Sequence, residues 1–267
     1  MPSEARTKPE TGDGAGGVPS KARRTAFRVI AVVMSVGGVA FGLFMVAGIF
    51  PESQRIHAFH NAVVGTLLLV LSAPAAIAAA RAPRRSTKPL VHLTVVGVAG
   101  LVTMGLSLTI DPFTLPFVVL VGILWILRPD RDRPLSPGRS SLLLLVLVLA
   151  AAVPLATYAW GQAELQRIDS TSQHDELYHW VETSFYAGAV LLLGLLVAVR
   201  PAAYRLSAWS AGLALAVLGG GSLALPDRAS ALDTPWAWAA LGGSIVFVAV
   251  AEWVRGRLRA GQVTRPA

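Results

Sequence analysis

The sequence predicts an all-α, polytopic transmembrane helical bundle of about eight spans. Three observations carry that prediction. Of 267 residues, 54% are hydrophobic and only 14% are charged, against about 25% charged in an ordinary soluble domain. The mean hydropathy is +0.60. The basic residues fall in clusters between apolar runs rather than evenly along the chain. A soluble globular enzyme and a disordered chain are both excluded, the latter because it needs low hydrophobicity.

Each span follows from its own residues. A crossing helix needs roughly 20 predominantly apolar residues. Runs near 27–50, 57–80, 89–110, 112–127, 141–160, 177–199, 202–224 and 235–254 meet or approach that length. The first is too long for a signal-peptide core, and no small-residue cleavage site follows it. The fourth is short and separated from the third only by Asp111-Pro112. Proline suits a first helical turn, so a tight hairpin is expected there. A re-entrant fourth segment with seven spans is the alternative. Residues 1–25, rich in Pro, Gly, Ser and charge, read as a disordered basic cytoplasmic tail. Residues 26–256 form the transmembrane domain, and 257–267 a second cytoplasmic tail.

Orientation comes from the basic residues. With the N-terminus inside, the inner segments hold Arg6 to Arg28, Arg81 to Lys88, Arg128 to Arg139, Arg200 and Arg205, and Arg255 to Arg265. That is 20 of the 23 basic residues, leaving Arg55, Arg167 and Arg228 outside. Such an asymmetry sets both termini in the cytoplasm and favours an even number of spans. Trp160, Trp180, Trp236 and Trp238 fall at outer helix ends, and Trp125 and Trp253 at inner ends, as an aromatic belt would; Trp209 lies deeper. The net charge of +8 is thus a topology signal and implies no nucleic-acid partner. The absence of cysteine removes disulfides, thiolate metal sites and thiol nucleophiles.

Small residues recur inside the spans: Gly38 and Gly42, Gly219 to Gly221, and Gly242 with Gly243. They permit close helix approach in lipid, within one chain or against a homo-oligomer or membrane-complex partner. Eight spans also invite a 4+4 repeat. The segments Ser53–His60 and Ser172–His179 share Ser-Gln and the final His at an offset of 119, and Arg81 and Arg200 close the following helices at the same offset. A duplication of this kind makes His60 and His179 equivalent.

Four of five histidines, His57, His60, His174 and His179, share the outer side with most carboxylates; His92 belongs to the inner side. His57 and His60 are spaced i, i+3, as are Glu176, His179 and Glu182, which puts each set on one helical face. Glu182 is the one ionisable group well within a span, and such groups are functional candidates. Imidazole with carboxylate suits a transition metal, so His57, His60, His179 and Glu182 form a candidate metal site between spans 2 and 6. Paired histidines also suit haem. The plain alternative is hydrated helix ends. No catalytic residue is assigned: Gly-x-Ser-x-Gly, His-Glu-x-x-His and phosphate-loop motifs are all missing. No Asp, Lys or Arg is expected at mid-membrane, where coupled transporters usually place such groups. The balance favours a non-enzymatic component, a small transporter, channel-like or accessory protein in the lipid bilayer.

Gly48-Ile49-Phe50-Pro51 followed by His60, and the stretch from His179 through Ala208-Trp209-Ser210-Ala211-Gly212 to Ala251-Glu252, resemble patterns in uncharacterised bacterial multi-pass integral membrane proteins. The resemblance implies a multi-pass bacterial membrane protein and carries no activity; a plasma-membrane location is expected. Arg outnumbering Lys by 20 to 3, with abundant Ala, Gly and Leu, fits a GC-rich bacterial gene.

Overall fold

The computed structural model describes residues 21–51, 56–129, 139–169 and 177–263. Eight helices account for nearly all of them: α1 Lys21–Ala47, α2 Ala58–Arg81, α3 Thr87–Ser107, α4 Thr114–Leu127, α5 Leu142–Ile168, α6 His179–Val199, α7 Arg205–Ala224 and α8 Thr234–Val263. Seven are long and apolar enough to cross a membrane. The protein is an all-α helical membrane bundle, as expected. Large apolar side chains such as Val33, Phe44, Val153 and Ile245 stand exposed on its flanks, where lipid rather than water is the fitting solvent.

The helix limits depart from expectation at several ends. Helix α1 begins at Lys21, inside the expected tail, and α8 runs on to Val263. Helix α5 continues to Ile168 rather than stopping near 160. Residues 1–20 and 264–267, with His174 and Glu176, lie outside the described residues. Trp180, expected at an outer helix end, lies in the first turn of α6 and is buried.

The fourth helix has 14 residues, about 21 Å, against a hydrocarbon core of about 30 Å. It nevertheless runs antiparallel to α1 over most of that helix. The Phe113 and Phe41 rings stack with centroids 5.6 Å apart at one end. At the other, the Arg23 guanidinium donates to the carbonyls of Leu127 and Arg128. The expected hairpin is present. Leu108 ends α3 in a left-handed conformation, φ 54°. Asp111 then closes the first turn of α4, its carboxylate accepting from the amides of Phe113 (3.1 Å) and Thr114 (2.8 Å) and from the Thr114 hydroxyl.

Helix α2 is continuous but contains a π-helical stretch, Leu67–Ser72. Its cause is in the sequence. Pro74 has no N–H to give to the carbonyl four residues back and its ring crowds that oxygen. The Val70 carbonyl is taken instead by the Ser210 hydroxyl at 2.8 Å. The next carbonyl, Leu71, meets Nε2 of His92 at 2.6 Å. The wide turn thus ties α2 to α3 and α7.

The core centres on α6, of whose apolar window 72% is buried, against 17% for α1 and α5. Tyr186, Leu193, Leu71, Val96 and Leu218 lie fully buried around it. A smaller core joins α1 to α4 through Phe27, Leu90, Leu93 and Leu124. Helices pair as α1 with α2, α3 with α4, α5 with α6 and α7 with α8. Between these pairs, α2 packs on α7 and α3 on α6. Glycine serves this packing within the chain. A Cβ at Gly42 would meet the Leu69 side chain at 2.6 Å, and one at Gly219 the Ala237 carbonyl at 2.5 Å.

Candidate functional site

The two ends of the bundle differ in chemistry. One end is arginine-rich. There Glu252 accepts from Arg205 (2.7 Å), from Trp209 Nε1 (2.8 Å) and from Arg255, which gives the deeper-lying Trp209 its partner. The opposite end collects the histidines.

Each histidine-end side chain is placed by its helix. His57 immediately precedes α2 and His60 is its third residue. Asn61 beside it donates to the Gly48 carbonyl at 3.1 Å, tying the start of α2 to the end of α1. On the other side, Tyr178 adopts a left-handed conformation, φ 61°, which turns the chain into α6 and makes His179 its first residue. The Val181 amide, an unsatisfied donor of that first turn, donates to Gln166 Oε1 of α5 at 3.2 Å. Glu182 follows one turn in.

Spans 2 and 6 face each other, and all four candidates meet. His60 Nε2 lies 2.8 Å from Glu182 Oε2, with both side chains 8% exposed. The His179 ring stacks on His60, centroids 3.4 Å apart at 24°. His57 meets His179 edge-on at 4.8 Å and 78°. All four residues are buried, so they are not the hydrated helix ends of the plain alternative. Asp111, also buried, acts electrostatically on Glu182 from the α3–α4 turn.

This geometry limits the chemistry. Imidazole lone pairs lie in the ring plane, so stacked rings do not aim their nitrogens at a common point. Among the described residues no three His, Cys, Asp or Glu are grouped to hold a metal ion. The contact between His60 and His179 also leaves no room for a porphyrin between them. What the cluster offers as built is a proton-sharing pair, His60 with Glu182, against a second imidazole able to take a proton. Stacking disfavours charging both rings together, because like charges in a low-dielectric site repel strongly.

The fifth histidine has a different surrounding. His92 is fully buried between Ser207 Oγ (2.9 Å from Nδ1) and the Leu71 carbonyl. That carbonyl only accepts, so Nε2 carries a proton, and Nδ1 accepts from Ser207 when the ring is neutral. It is a structural tie between three helices.

Several contributors carry no strong signal in the sequence. Gln162 and Gln166 follow the expected fifth span, 141–160, yet they sit on the last turns of α5, with Gln162 accepting from Ser230 at 2.9 Å. Two inward amides at i, i+4 were the available signal. Pro74 inside an apolar run was the signal for the wide turn of α2.

No family model matches the chain, and no curated protein or solved structure matches it. The fold and site therefore define the class by themselves: a helical membrane protein with a buried histidine–glutamate cluster at one end.

Proposed function

We propose that this chain is a bacterial plasma-membrane protein with both termini cytoplasmic, a non-enzymatic transport or accessory component whose outer-end cluster binds and releases protons. The observation that carries the reading is the buried 2.8 Å contact of His60 with Glu182 under the stacked His179 ring. The positive-inside distribution supports the orientation.

The cluster joins two four-helix halves. The pairing of α1 with α2 and α5 with α6, and the reciprocal contacts of α2 with α7 and α3 with α6, support a 4+4 duplication about an axis along the membrane normal. His60 and His179 are then equivalent residues meeting near that axis. With one proton shared between His60 and Glu182, the halves are clasped at the outer end. A second proton, on His179, sets two cations face to face and loosens the clasp. Rocking of repeat halves is a common route to alternating access, and protonation here biases it.

The test is proteoliposomes loaded with a pH-sensitive dye, with 15N-histidine NMR of the detergent-solubilised chain beside them. Proton-coupled exchange should be lost in Glu182→Gln, and the 15N titration of His60, the carboxylate's partner, should shift from its wild-type course. Unchanged titration in that variant would remove the reading.

A transition-metal or haem site is the second reading, favoured by three imidazoles and a carboxylate from two facing helices. It requires His60 and His179 to turn out of their stack. Elemental analysis and a visible spectrum of the purified protein, with His60→Ala/His179→Ala as control, distinguish the two. A near-stoichiometric metal or a Soret band absent from the double variant selects it.

A further inference from the structure

We infer that the cleft between α5 and α8 holds an acyl chain of a zwitterionic, amine-bearing membrane phospholipid. This stands apart from the histidine cluster.

A cavity of 650 Å3 lies where α5 and α8 pack only sparsely, with α6 and α7 as its floor. That volume is within the usual range for ligand pockets, about 300–1,000 Å3. Along α5 its lining runs from Leu147 to Tyr158, about 17 Å at 1.5 Å per residue. The cleft is therefore long and parallel to the helices, the shape of a chain rather than of a compact solute.

Its walls are hydrocarbon: Val148, Leu155, Val190, Leu215 and Phe247 among them. Polar side chains enter at one end only, from Thr157, Tyr158 and Asp233. The Tyr158 hydroxyl is already engaged, donating to the Ser230 carbonyl at 2.6 Å. The side chains in the depth of this cleft offer a polar molecule no partner, and a polar group buried unpaired there is costly. Val153, Val246 and Trp236 on its rim are exposed, so it opens sideways, to the bilayer.

Two local features keep it open. Pro154 lies in the middle of α5, a position at which proline removes a backbone hydrogen bond and commonly bends a helix. Gly243 presents no side chain, and a Cβ there would meet only Leu215 Cδ2, at 3.9 Å.

The occupant follows from the surroundings. The bilayer supplies it, so its tail is a lipid tail. The polar end lies at the α7–α8 turn, which carries Asp227, Arg228 and Asp233. The exposed Asp233 and the ring of Trp236 stand beside the mouth. Of the three charged residues only Asp233 lines the cleft; a carboxylate at the mouth suits the ammonium of an amine-bearing headgroup, and tryptophan favours that depth.

The experiment uses the full chain, purified in mild detergent and exposed to phosphatidylethanolamine, phosphatidylglycerol and a prenyl quinone as separate probes. Retained lipid is read by native mass spectrometry. Wild type should keep one phosphatidylethanolamine in preference to the other two. Gly243→Leu and Ala151→Leu, which fill the cleft from opposite walls, should each reduce retention about tenfold, near 1.4 kcal/mol. Gly105→Ala, on open surface in α3, should not. Thermal melting of each variant checks folding, and Ala151→Leu serves if Gly243→Leu fails to fold. Equal retention in the filled variants, no retained lipid in wild type, or preference for the quinone or the anionic lipid would each overturn the inference.

Discussion

His60 and His179 stack face to face with ring centroids 3.4 Å apart, although 119 positions separate them and each opens a different helix. The contact joins α2 to α6 at the histidine end, and Glu182 and His57 close round it. Its consequences are testable one at a time.

Glu182→Ala leaves His60 buried without its carboxylate. The expected loss is about 1–3 kcal/mol, the cost of an unsatisfied buried polar group. Glu182→Gln keeps an acceptor oxygen and should lose less. Thermal unfolding in detergent checks both, and equal melting of the two variants and wild type would discredit the contact.

His179→Phe separates packing from protonation. A phenyl ring preserves the stack, so stability should stay near wild type, while one histidine titration disappears. His179→Ala should instead open a cavity and cost about 2–4 kcal/mol, in the range of large-to-small core changes. A Phe variant as unstable as the Ala variant would show that the ring's nitrogens, not its face, matter for folding.

Pro74→Ala restores the N–H that α-helical geometry lacks at that position. The wide turn Leu67–Ser72 should then tighten, and the Val70 and Leu71 carbonyls should be withdrawn from Ser210 and His92. We expect a loss of about 1–3 kcal/mol and a displaced His92 15N resonance. An unmoved resonance would mean that proline does not set the turn.

Gly219 and Gly220 differ sharply in what surrounds them. A methyl group at Gly219 meets α8 backbone, Ala237 O at 2.5 Å and Leu241 N at 2.8 Å, whereas at Gly220 nothing lies within 4 Å. Gly219→Ala should cost about 1–3 kcal/mol through overpacking; Gly220→Ala should be neutral or slightly stabilising. Denaturation of the pair decides it.

The proposed orientation is checked by cysteine labelling, for which a chain without cysteine is ready-made. In intact cells a membrane-impermeant maleimide should label Arg228→Cys and not Arg84→Cys. The reverse pattern would invert the topology.

Much of this was legible in the sequence because bilayers impose simple constraints. Hydrocarbon thickness sets span length, so eight apolar runs correspond to eight helices, and the i, i+3 spacings single out His57, His60 and Glu182 with His179. Helix limits were less legible. Gln162 and Gln166 look like loop residues because they are polar, yet burial against Val181 and Ser230 lets α5 continue through them. Trp180 looks interfacial for its indole, yet tertiary packing encloses it.

The sequence alone determined the class: all-α, membrane-spanning, with histidines and carboxylates gathered at one end, since hydropathy and helical periodicity act over one to a few turns. Tertiary structure decided the chemistry. Whether three imidazoles converge on an ion or stack upon one another depends on how α2 and α6 rotate against each other. That rotation is fixed by contacts far apart in the chain: Asn61 on Gly48, Gln166 on Val181, and the Pro74 turn held by His92 and Ser210. Local spacing places a side chain on a face, but only packing sets the direction in which its lone pairs point.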